Sequence, residues 1–298
     1  MNILITGISG QIGSRLSGLL KKNGVPHFGI SRDSDRLPEV KCIEADLSKI
    51  TTNELKQNCQ NISHVIYLAD VINDSADFNN DLDCQFQNCC LNTIKLTSCL
   101  PNTIKHFSFA SSYSVYGFPE GAILSEKSEI NPQNVYSFTK LATEHYLNFF
   151  RKKINIPVSI LRIASVYGPN PKKENQYRSI PNIINTVIRN ENPYVTGSGK
   201  TYRDYTYIDD CASAIINASL LNADGVFNIG SGRKTSILEI AEEVVNISGK
   251  KLHIEHRYAE DEQSSCVCDI SKMKNELNYS PKFSIKDGLK LTYDWHNR

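Results

Sequence analysis

Three residues of this chain have the types and spacing to transfer a proton to or from a substrate. Tyr136 and Lys140 begin a helix-like stretch, where positions i and i+4 share a face. A free phenol has a pKa of about 10, and a neighbouring ammonium favours its ionised form. Ser112 follows a strand-like segment and offers a hydroxyl to a substrate oxygen. Together they could interconvert an alcohol and a ketone, although the Tyr-x-x-x-Lys spacing alone would also fit an exposed helical pair.

The second feature is a glycine-rich turn near the N-terminus, between a predicted strand at Asn2–Thr6 and an amphipathic helical pattern. This context is the one that a dinucleotide-binding fingerprint requires. Three glycines would allow the tight turn, the approach of the pyrophosphate and close helix packing, and the helix N-terminus would favour the phosphates. The residues expected to bind the dinucleotide here are Gly7, Ser9, Gly10, Gln11, Ile12 and Gly13.

Composition limits the class of protein. The 298 residues suit one large or two closely joined domains. With 33 basic and 32 acidic residues, the chain has no charge excess that would favour nucleic acid or an anionic membrane. No apolar run approaches the roughly 18–20 residues of a transmembrane helix, and no signal-peptide pattern is evident. Nine scattered cysteines without Cys-x-x-Cys spacing predict free thiols, no metal site and a cytoplasmic location, with Cys266 and Cys268 at alternate strand positions.

Short apolar strands alternate with amphipathic helices through the first half of the chain, which predicts a doubly wound parallel α/β sheet of the Rossmann type. Further strands are predicted at His27–Ser31, Lys41–Glu44, His64–Ala69, Lys105–Ala110 and Val158–Arg162. In the helix after Tyr136, helical spacing predicts a sheet-facing stripe of Phe138, Leu141, Ala142, Tyr146 and Phe149.

The rhythm weakens after the Pro-rich loop at Gly168–Pro171. We therefore predict a dinucleotide-binding domain over residues 1–168, to which residues 205–230 return. Residues 169–204 and 231–298 would form a smaller α/β substrate-binding part.

Seven sequence blocks in a fixed order resemble one family over nearly the whole chain. The chain resembles the extended short-chain dehydrogenase/reductases that act on nucleotide sugars, the NAD-dependent epimerase/dehydratase group. The blocks are Thr6-Gly-Ile-Ser-Gly-Gln-Ile-Gly13, Ala45-Asp46-Leu47, Ser111-Ser-Tyr-Ser-Val-Tyr-Gly117, Tyr136-x-x-x-Lys140, Leu161-Arg-Ile-Ala-Ser-Val-Tyr-Gly-Pro169, Arg203-Asp-Tyr-Thr-Tyr-Ile-Asp-Asp210 and Phe227-Asn-Ile-Gly-Ser-Gly232.

The resemblance implies a role for each site residue. Ser112 would orient the substrate, Tyr136 would be the acid/base, and Lys140 would tune the phenol and hold the nicotinamide ribose. Asp46, otherwise a loop cap, would contact the adenine, with Leu47, Leu68 and Ala69 also lining the cofactor. Ser165, Arg203 and Arg257 would bind the nucleotide sugar, since guanidinium groups suit phosphate oxygens, although Arg257 also fits an ordinary surface charge.

Three departures from the family's pattern bear on the reaction. Ser165 replaces an asparagine, and Leu68-Ala69-Asp70 replaces the usual Leu-Ala-Ala, which brings a carboxylate near the cofactor. Tyr113 and Ser114 stand where 4,6-dehydratases would have Asp-Glu, so dehydration and decarboxylation are disfavoured.

The cofactor type depends on the end of the second strand. The acidic residue that would favour NAD is expected about 20 positions past the glycines, where this chain has Ser31 and Arg32. A hydroxyl followed by a guanidinium suits a 2′-phosphate, with Arg36 assisting, and so favours NADP. Asp33 and Asp35 would instead favour NAD, which keeps that alternative open.

The first functional hypothesis is NADPH-dependent reduction of a 4-keto deoxysugar nucleotide, also because the chain is somewhat shorter than family epimerases. The alternative is a nucleotide-sugar 4-epimerase that retains NAD and uses the same residues. A non-catalytic dinucleotide sensor is the third, disfavoured because Tyr136 and Lys140 are both present. The resemblance also implies a homodimer formed through two helices per subunit.

Overall fold

The computed structural model describes residues 1–33, 35, 37, 39–70, 78–169, 179–258 and 265–298. The strands are β1 (Ile3–Thr6), β2 (His27–Ser31), β3 (Cys42–Glu44), β4 (His64–Tyr67), β5 (His106–Ser112), β6 (Ala122–Leu124), β7 (Val158–Ile163), β8 (Ser165–Tyr167), β9 (Tyr194–Thr196), β10 (Tyr202–Tyr207), β11 (Gly225–Ile229), β12 (Lys234–Ser236), β13 (Glu255–Arg257) and β14 (Cys266–Cys268). The helices are α1 (Gln11–Lys22), α2 (Thr52–Cys59), α3 (Phe78–Gln85), α4 (Asn92–Ser98), α5 (Val135–Ile154), α6 (Ser179–Ile188), α7 (Ile208–Leu220), α8 (Ile237–Ser248), α9 (Ser271–Glu276) and α10 (Ile285–His296). A π-helical stretch (Phe86–Leu91) precedes α4, and a 3-10 turn (Tyr113–Tyr116) follows β5.

The central sheet has seven parallel strands in the order β11-β7-β5-β4-β1-β2-β3. Leu4 of β1 is aligned with Phe28 of β2 on one side and with Val65 of β4 on the other. The chain moves outward in one direction through β2 and β3 and then in the other through β4 and β5, so the strand order reverses beside β1. A crevice for a ligand is expected beyond the carboxyl ends of the strands at such a reversal. The predicted doubly wound α/β fold is confirmed.

Helices cover both faces of this sheet because its strands are apolar on both sides. In β1, Ile3 and Ile5 belong to the core under α1 and α7, whereas Leu4 belongs to the core under α2, α4 and α5. All three side chains are fully buried. The predicted strands are confirmed with ends that shift by one or two residues. Cys266 and Cys268 lie on strand β14, and all nine cysteines are free thiols.

The stripe predicted to face the sheet on α5 is right only in part. Leu141 and Tyr146 are partly buried and pack against the two cores of the sheet, but Phe138 and Phe149 are 50% and 63% exposed. The buried face is largely polar, and it comprises Val135, Ser137, Thr139, Lys140, Thr143, Glu144, Leu147 and Phe150. Apolar spacing misleads here because the face against the sheet carries charged and hydroxyl side chains that find buried partners.

A third core lies in the smaller part of the molecule. It joins α6, α8 and α10 with β9 and β10, and Ile184, Ile240 and Leu289 are fully buried in it. Strand β10 lies in a three-stranded sheet in the order β12-β10-β8, whereas β11 lies in the central sheet and α7 packs on that sheet. The domain boundaries given above remain a prediction. In the described part of the chain, none of the helices is long and apolar enough to span a membrane.

The buried imidazole of His106 makes the fold sensitive to acid. His106 Nε2 contacts Ser159 Oγ and the Ala223 carbonyl, each at 3.0 Å. Burial lowers its pKa to about 4, despite the opposing effect of the Ala223 carbonyl. The unfolded chain therefore binds a proton at about pH 6.5, where the folded protein does not, so stability falls as the pH drops from 6.5 towards 4.

We predict that His106→Gln weakens this dependence and leaves the contribution of His64, whose pKa burial also lowers. Between pH 7 and pH 5 the wild type should lose about 2 kcal/mol more unfolding free energy than the variant, as urea titrations would measure. His27→Gln is the matched control, since His27 lies at the surface end of β2 and is only partly buried. Equal losses in wild type and His106→Gln would contradict the account.

Candidate active site

Helix α5 places Tyr136 and Lys140 in its first two turns. Its start is fixed by Asn134, whose side chain accepts a hydrogen bond from Ser137 N at 2.8 Å, while Ser137 Oγ accepts one from Asn134 N at 3.2 Å. Such reciprocal capping satisfies two of the backbone donors that a helix leaves unpaired. The first turn is therefore held rigidly, and with it the Tyr136 side chain.

The Lys140 ammonium is buried and held at fixed points. Its Nζ donates to the Ala110 carbonyl at 2.6 Å and lies 2.8 Å from a carboxylate oxygen of Asp70. The same atom lies 5.0 Å from the centre of the Phe109 ring and 5.6 Å from that of Tyr136. Burial alone would lower the pKa of Lys140, but the Asp70 carboxylate together with Cys89 and Tyr136 outweighs it, and the pKa lies above its ordinary value. Lys140 is therefore a fixed positive charge beneath the phenol.

Ser112 ends β5 opposite Tyr136. Its Oγ accepts hydrogen bonds from Ser114 N at 3.2 Å and from Ser114 Oγ at 2.9 Å, and it also interacts with the Tyr136 hydroxyl. Burial raises the pKa of Tyr136; Lys140 and Ser112 lower it, while Asp70 and Cys89 raise it further. The phenol is thus protonated at neutral pH, with a cation and a hydroxyl poised to stabilise its ionised form. This arrangement brings together the three residues that the sequence singled out.

A buried ion pair fixes α5 against the sheet, and sequence reasoning missed it. Arg162 of β7 donates to both carboxylate oxygens of Glu144, at 3.1 and 2.7 Å, and to Tyr116 Oη at 3.0 Å. Ser111 Oγ donates to the same carboxylate at 2.5 Å. The pair therefore joins α5, β5 and β7 directly behind Ser112. The sequence did contain a signal for this pair, because Glu144 and Arg162 are charged residues within otherwise apolar patterns and buried charges in proteins are paired.

The glycine turn fits a bound dinucleotide. Gly7 has a φ of +68°, and a Cβ there would lie 2.9 Å from the Ala69 backbone. A Cβ on Gly13 would lie 2.4 Å from the Gly7 carbonyl oxygen, so side chains are excluded at both positions. Gly10 begins α1 without any side-chain cap, which leaves the backbone donors at the start of that helix to an anion.

Neighbouring contacts hold the turn in place. The Thr6 hydroxyl accepts from Leu68 N at 3.2 Å and from Ala69 N at 3.1 Å, so the loop after β4 lies against the turn. Gln11 donates to the Gly168 carbonyl at 3.1 Å, and Ile12 is partly buried against the core. These residues would hold the pyrophosphate and the adjoining ribose.

The residues expected at the adenosine end lie at the ends of β2 and β3. Ser31 Oγ contacts Ser9 Oγ at 2.6 Å and Asp33 N at 3.1 Å, and the Arg32 side chain is exposed. Asp46 caps its own loop by accepting from Ser48 N and Ser48 Oγ, at 2.9 and 2.7 Å. Burial opposes ionisation of Asp46, but the bonds from Ser48 prevail and lower its pKa. Leu47 is buried, and Arg36 falls outside the described residues.

The residues expected to bind the substrate lie in two separate places. Ser165 Oγ contacts Tyr113 Oη at 2.9 Å, and the Arg203 guanidinium lies 4.8 Å from the centre of the Phe118 ring, which packs edge-on against Tyr113. Arg203 and Ser165 are thus brought to the residue that follows Ser112. Arg257 is exposed on β13, where its guanidinium carbon lies 3.4 Å from the centre of the Tyr194 ring.

Proteins of a single family resemble this chain along nearly its whole length. The family model described as the NAD dependent epimerase/dehydratase family matches residues 3–230. An uncharacterised UDP-glucose epimerase of Bacillus subtilis is 30% identical over 312 residues, covering 97% of this chain and 96% of the relative.

Two solved structures share the fold from end to end. A UDP-glucuronic acid 4-epimerase from Bacillus cereus, in complex with UDP-glucuronic acid and NAD, gives a TM-score of 0.86 at 29% identity and covers 99% of this chain and 98% of that one. A UDP-glucose 4-epimerase from Thermotoga maritima, crystallised with UDP-glucose, gives a TM-score of 0.86 at 25% identity, with the same coverage of 99% and 98%.

Proposed function

Because this chain belongs to the NAD-dependent epimerase/dehydratase family, we propose that it is a nucleotide-sugar 4-epimerase that retains NAD. It is an enzyme of the extended short-chain dehydrogenase/reductase type. One observation supports the interconversion of an alcohol and a ketone, the meeting of Tyr136, Lys140 and Ser112 at the end of β5. The choice of epimerisation over reduction rests on the relatives, since the similar structures from Bacillus cereus and Thermotoga maritima are 4-epimerases of UDP sugars.

The proposed mechanism assigns one task to each residue. Ser112 would hold the C4 oxygen of the sugar by a hydrogen bond, which keeps that oxygen next to the Tyr136 hydroxyl. Tyr136 would accept the proton of the C4 hydroxyl and later return it, while Lys140 stabilises the phenolate between the two transfers. NAD, when bound, supplies the hydride acceptor and donor. Inversion at C4 then requires the sugar to present its other face before C4 regains its hydrogen.

Substrate binding is proposed for Ser165, Arg203 and Arg257. Arg203 and Ser165 flank Tyr113, the residue next to Ser112, so a diphosphate held there would bring its sugar to the catalytic hydroxyls. Arg257 is a weaker candidate because its guanidinium stacks on Tyr194 away from that cluster. Tyr113 and Ser114 supply no carboxylate, which keeps dehydration disfavoured.

A second candidate is the NADPH-dependent 4-keto reductase, which the sequence favoured first. The observation that supports it is the exposed Arg32 directly after Ser31, at the end of β2. It has less support than epimerisation, because the Bacillus cereus structure contains NAD and the named similar proteins are epimerases. NAD is therefore the proposed cofactor.

We expect Tyr136→Phe to lower kcat for C4 epimerisation by about 10²–10⁴-fold, because the proton acceptor is lost while the packing remains. Purified protein would be incubated with UDP-glucose and with UDP-glucuronic acid, without added NADPH, and the C4 epimers separated by chromatography. Tyr146→Phe on the same helix is the matched control and should keep its turnover, since Tyr146 bonds Thr97 instead. Unchanged turnover in Tyr136→Phe would disprove the acid/base assignment.

The two candidates differ in the dinucleotide that the protein carries. We expect denatured, freshly purified protein to release NAD in near-stoichiometric amount, detected by mass spectrometry. Arg32→Ala should leave that NAD in place, as should the control Lys41→Ala at an exposed position nearby. Release of NADP(H), or an empty site whose preference for NADPH disappears in Arg32→Ala, would favour the reductase instead.

Homodimerisation is proposed through the outward face of α5 and the neighbouring helical segment. Phe138 and Phe149 on α5 are 50% and 63% exposed, and Leu91 and Ile94 beside it are 43% and 36% exposed. The π-helical stretch that ends at Leu91 packs directly against α5. Large exposed apolar side chains on adjacent elements typically mark an interaction surface.

We expect the double variant Phe138→Glu/Phe149→Glu to dissociate at about 100-fold higher concentration than the wild type, because charges would be buried in the interface. Size-exclusion chromatography with light scattering would measure the mass. Ile123→Glu is the control, because Ile123 is 65% exposed but lies on β6. A monomeric wild type, or a dimer that tolerates both charges, would rule out this surface.

A further inference from the structure

Asp70 lies beside Lys140, but the proposed mechanism assigns it no role. It lies three residues beyond β4, and its side chain is 14% exposed. Its carboxylate reaches within 2.8 Å of Lys140 Nζ. A buried charge of this kind is costly unless it is paired, which makes the contact with Lys140 informative.

The ammonium of Lys140 has three hydrogen atoms to donate. The Ala110 carbonyl takes one at 2.6 Å, and Asp70 Oδ2 lies 2.8 Å from the same nitrogen as its ion-pair partner. Within the part of the chain that the structure describes, these two contacts hold the ammonium from two sides.

Charges that face Tyr136 come from several elements. On α5 itself, Lys140 is the positive group, and Asp70 beyond β4 is the negative one. Cys89 in the π-helical stretch also faces the pair, but burial raises the pKa of its thiol to about 11 and keeps it neutral. Burial likewise raises the pKa of Tyr67 on β4, which faces Lys140 as a neutral phenol. Among the described residues, the charged groups that act on Tyr136 at neutral pH are therefore Lys140 and Asp70.

We propose that Asp70 is a positioning residue for the acid/base pair, holding the Lys140 ammonium in place and offsetting part of its charge at Tyr136. This inference rests on the proposed function only for the roles of Tyr136 and Lys140. Tyr136 keeps its proton more firmly when a carboxylate partly balances the charge of Lys140 than when that charge is unbalanced. The phenol is then ready to donate a proton to a ketone and is a weaker acceptor from an alcohol. Asp70 thus shifts the pH range of the enzyme upward.

The direct test is the ionisation of Tyr136 in Asp70→Asn, which removes the charge and keeps the shape. Protein labelled with ¹³C at tyrosine Cζ and saturated with NAD would be titrated by NMR without substrate, with Tyr136→Phe identifying the signal. We expect the Tyr136 midpoint to fall by about one pH unit or more relative to the wild type, because an adjacent positive charge loses its counter-ion. An unchanged or higher midpoint overturns the proposal.

Two further variants control the result. Asp294→Asn removes a carboxylate that is 47% exposed on α10 and should leave the midpoint unchanged. Asp70→Ala, which also removes the carboxylate, should lower the midpoint as Asp70→Asn does, and it decides the matter if the asparagine variant does not fold.

Activity supplies an independent readout. In Asp70→Asn, the acidic limb of the plot of kcat/KM against pH should move to lower pH by the same amount. A loss of kcat without a shift of that limb would indicate a merely structural role and overturn the proposal. Because the NMR titration requires no substrate, a shifted midpoint without epimerisation would reject the proposed function and uphold the role of Asp70. Epimerisation with an unmoved midpoint would uphold the proposed function and reject the role of Asp70.

Discussion

The structure of the site depends on one buried ammonium. Lys140 joins the end of β4, through Asp70 at 2.8 Å, to the end of β5, through the Ala110 carbonyl at 2.6 Å, and it does so from the second turn of α5. Moving a lysine out of water is costly unless its charge and its donors are satisfied, so these partners must stay in place. The Glu144–Arg162 pair one turn further along the helix holds α5 to β5 and β7. The position of Lys140 relative to Tyr136 therefore follows from the partners that bind the buried charged residues of α5.

Sequence patterns predicted the sheet for physical reasons, and they singled out three side chains that the structure brings together. Strands apolar on both faces, such as Ile3–Thr6, have few alternatives to a covered parallel sheet, and the glycines at 7 and 13 occupy places where a Cβ would collide with backbone. The inward face of α5 could not be predicted in this way. Phe138 and Phe149 follow apolar spacing yet lie exposed, because the packing of Lys140 and Glu144 is decided by partners distant in sequence.

Reaction and cofactor were harder to infer than fold, because the same three residues serve a reductase and an epimerase. Arg32 is a single exposed side chain at the end of β2, and its type alone does not fix whether a 2′-phosphate is bound. Similar proteins supply the stronger argument, since a 4-epimerase with NAD shares the fold over 98% of its length.

The most direct test of the central claim is to follow the hydrogen at C4. UDP-glucose and UDP-glucuronic acid carrying deuterium at C4 would be incubated with the enzyme without added dinucleotide, and the products analysed by NMR and mass spectrometry. Oxidation and return of the hydride within one site predict the C4 epimer with its deuterium retained at C4. Loss of the deuterium to solvent, or the absence of any C4 epimer from both sugars, would contradict the account.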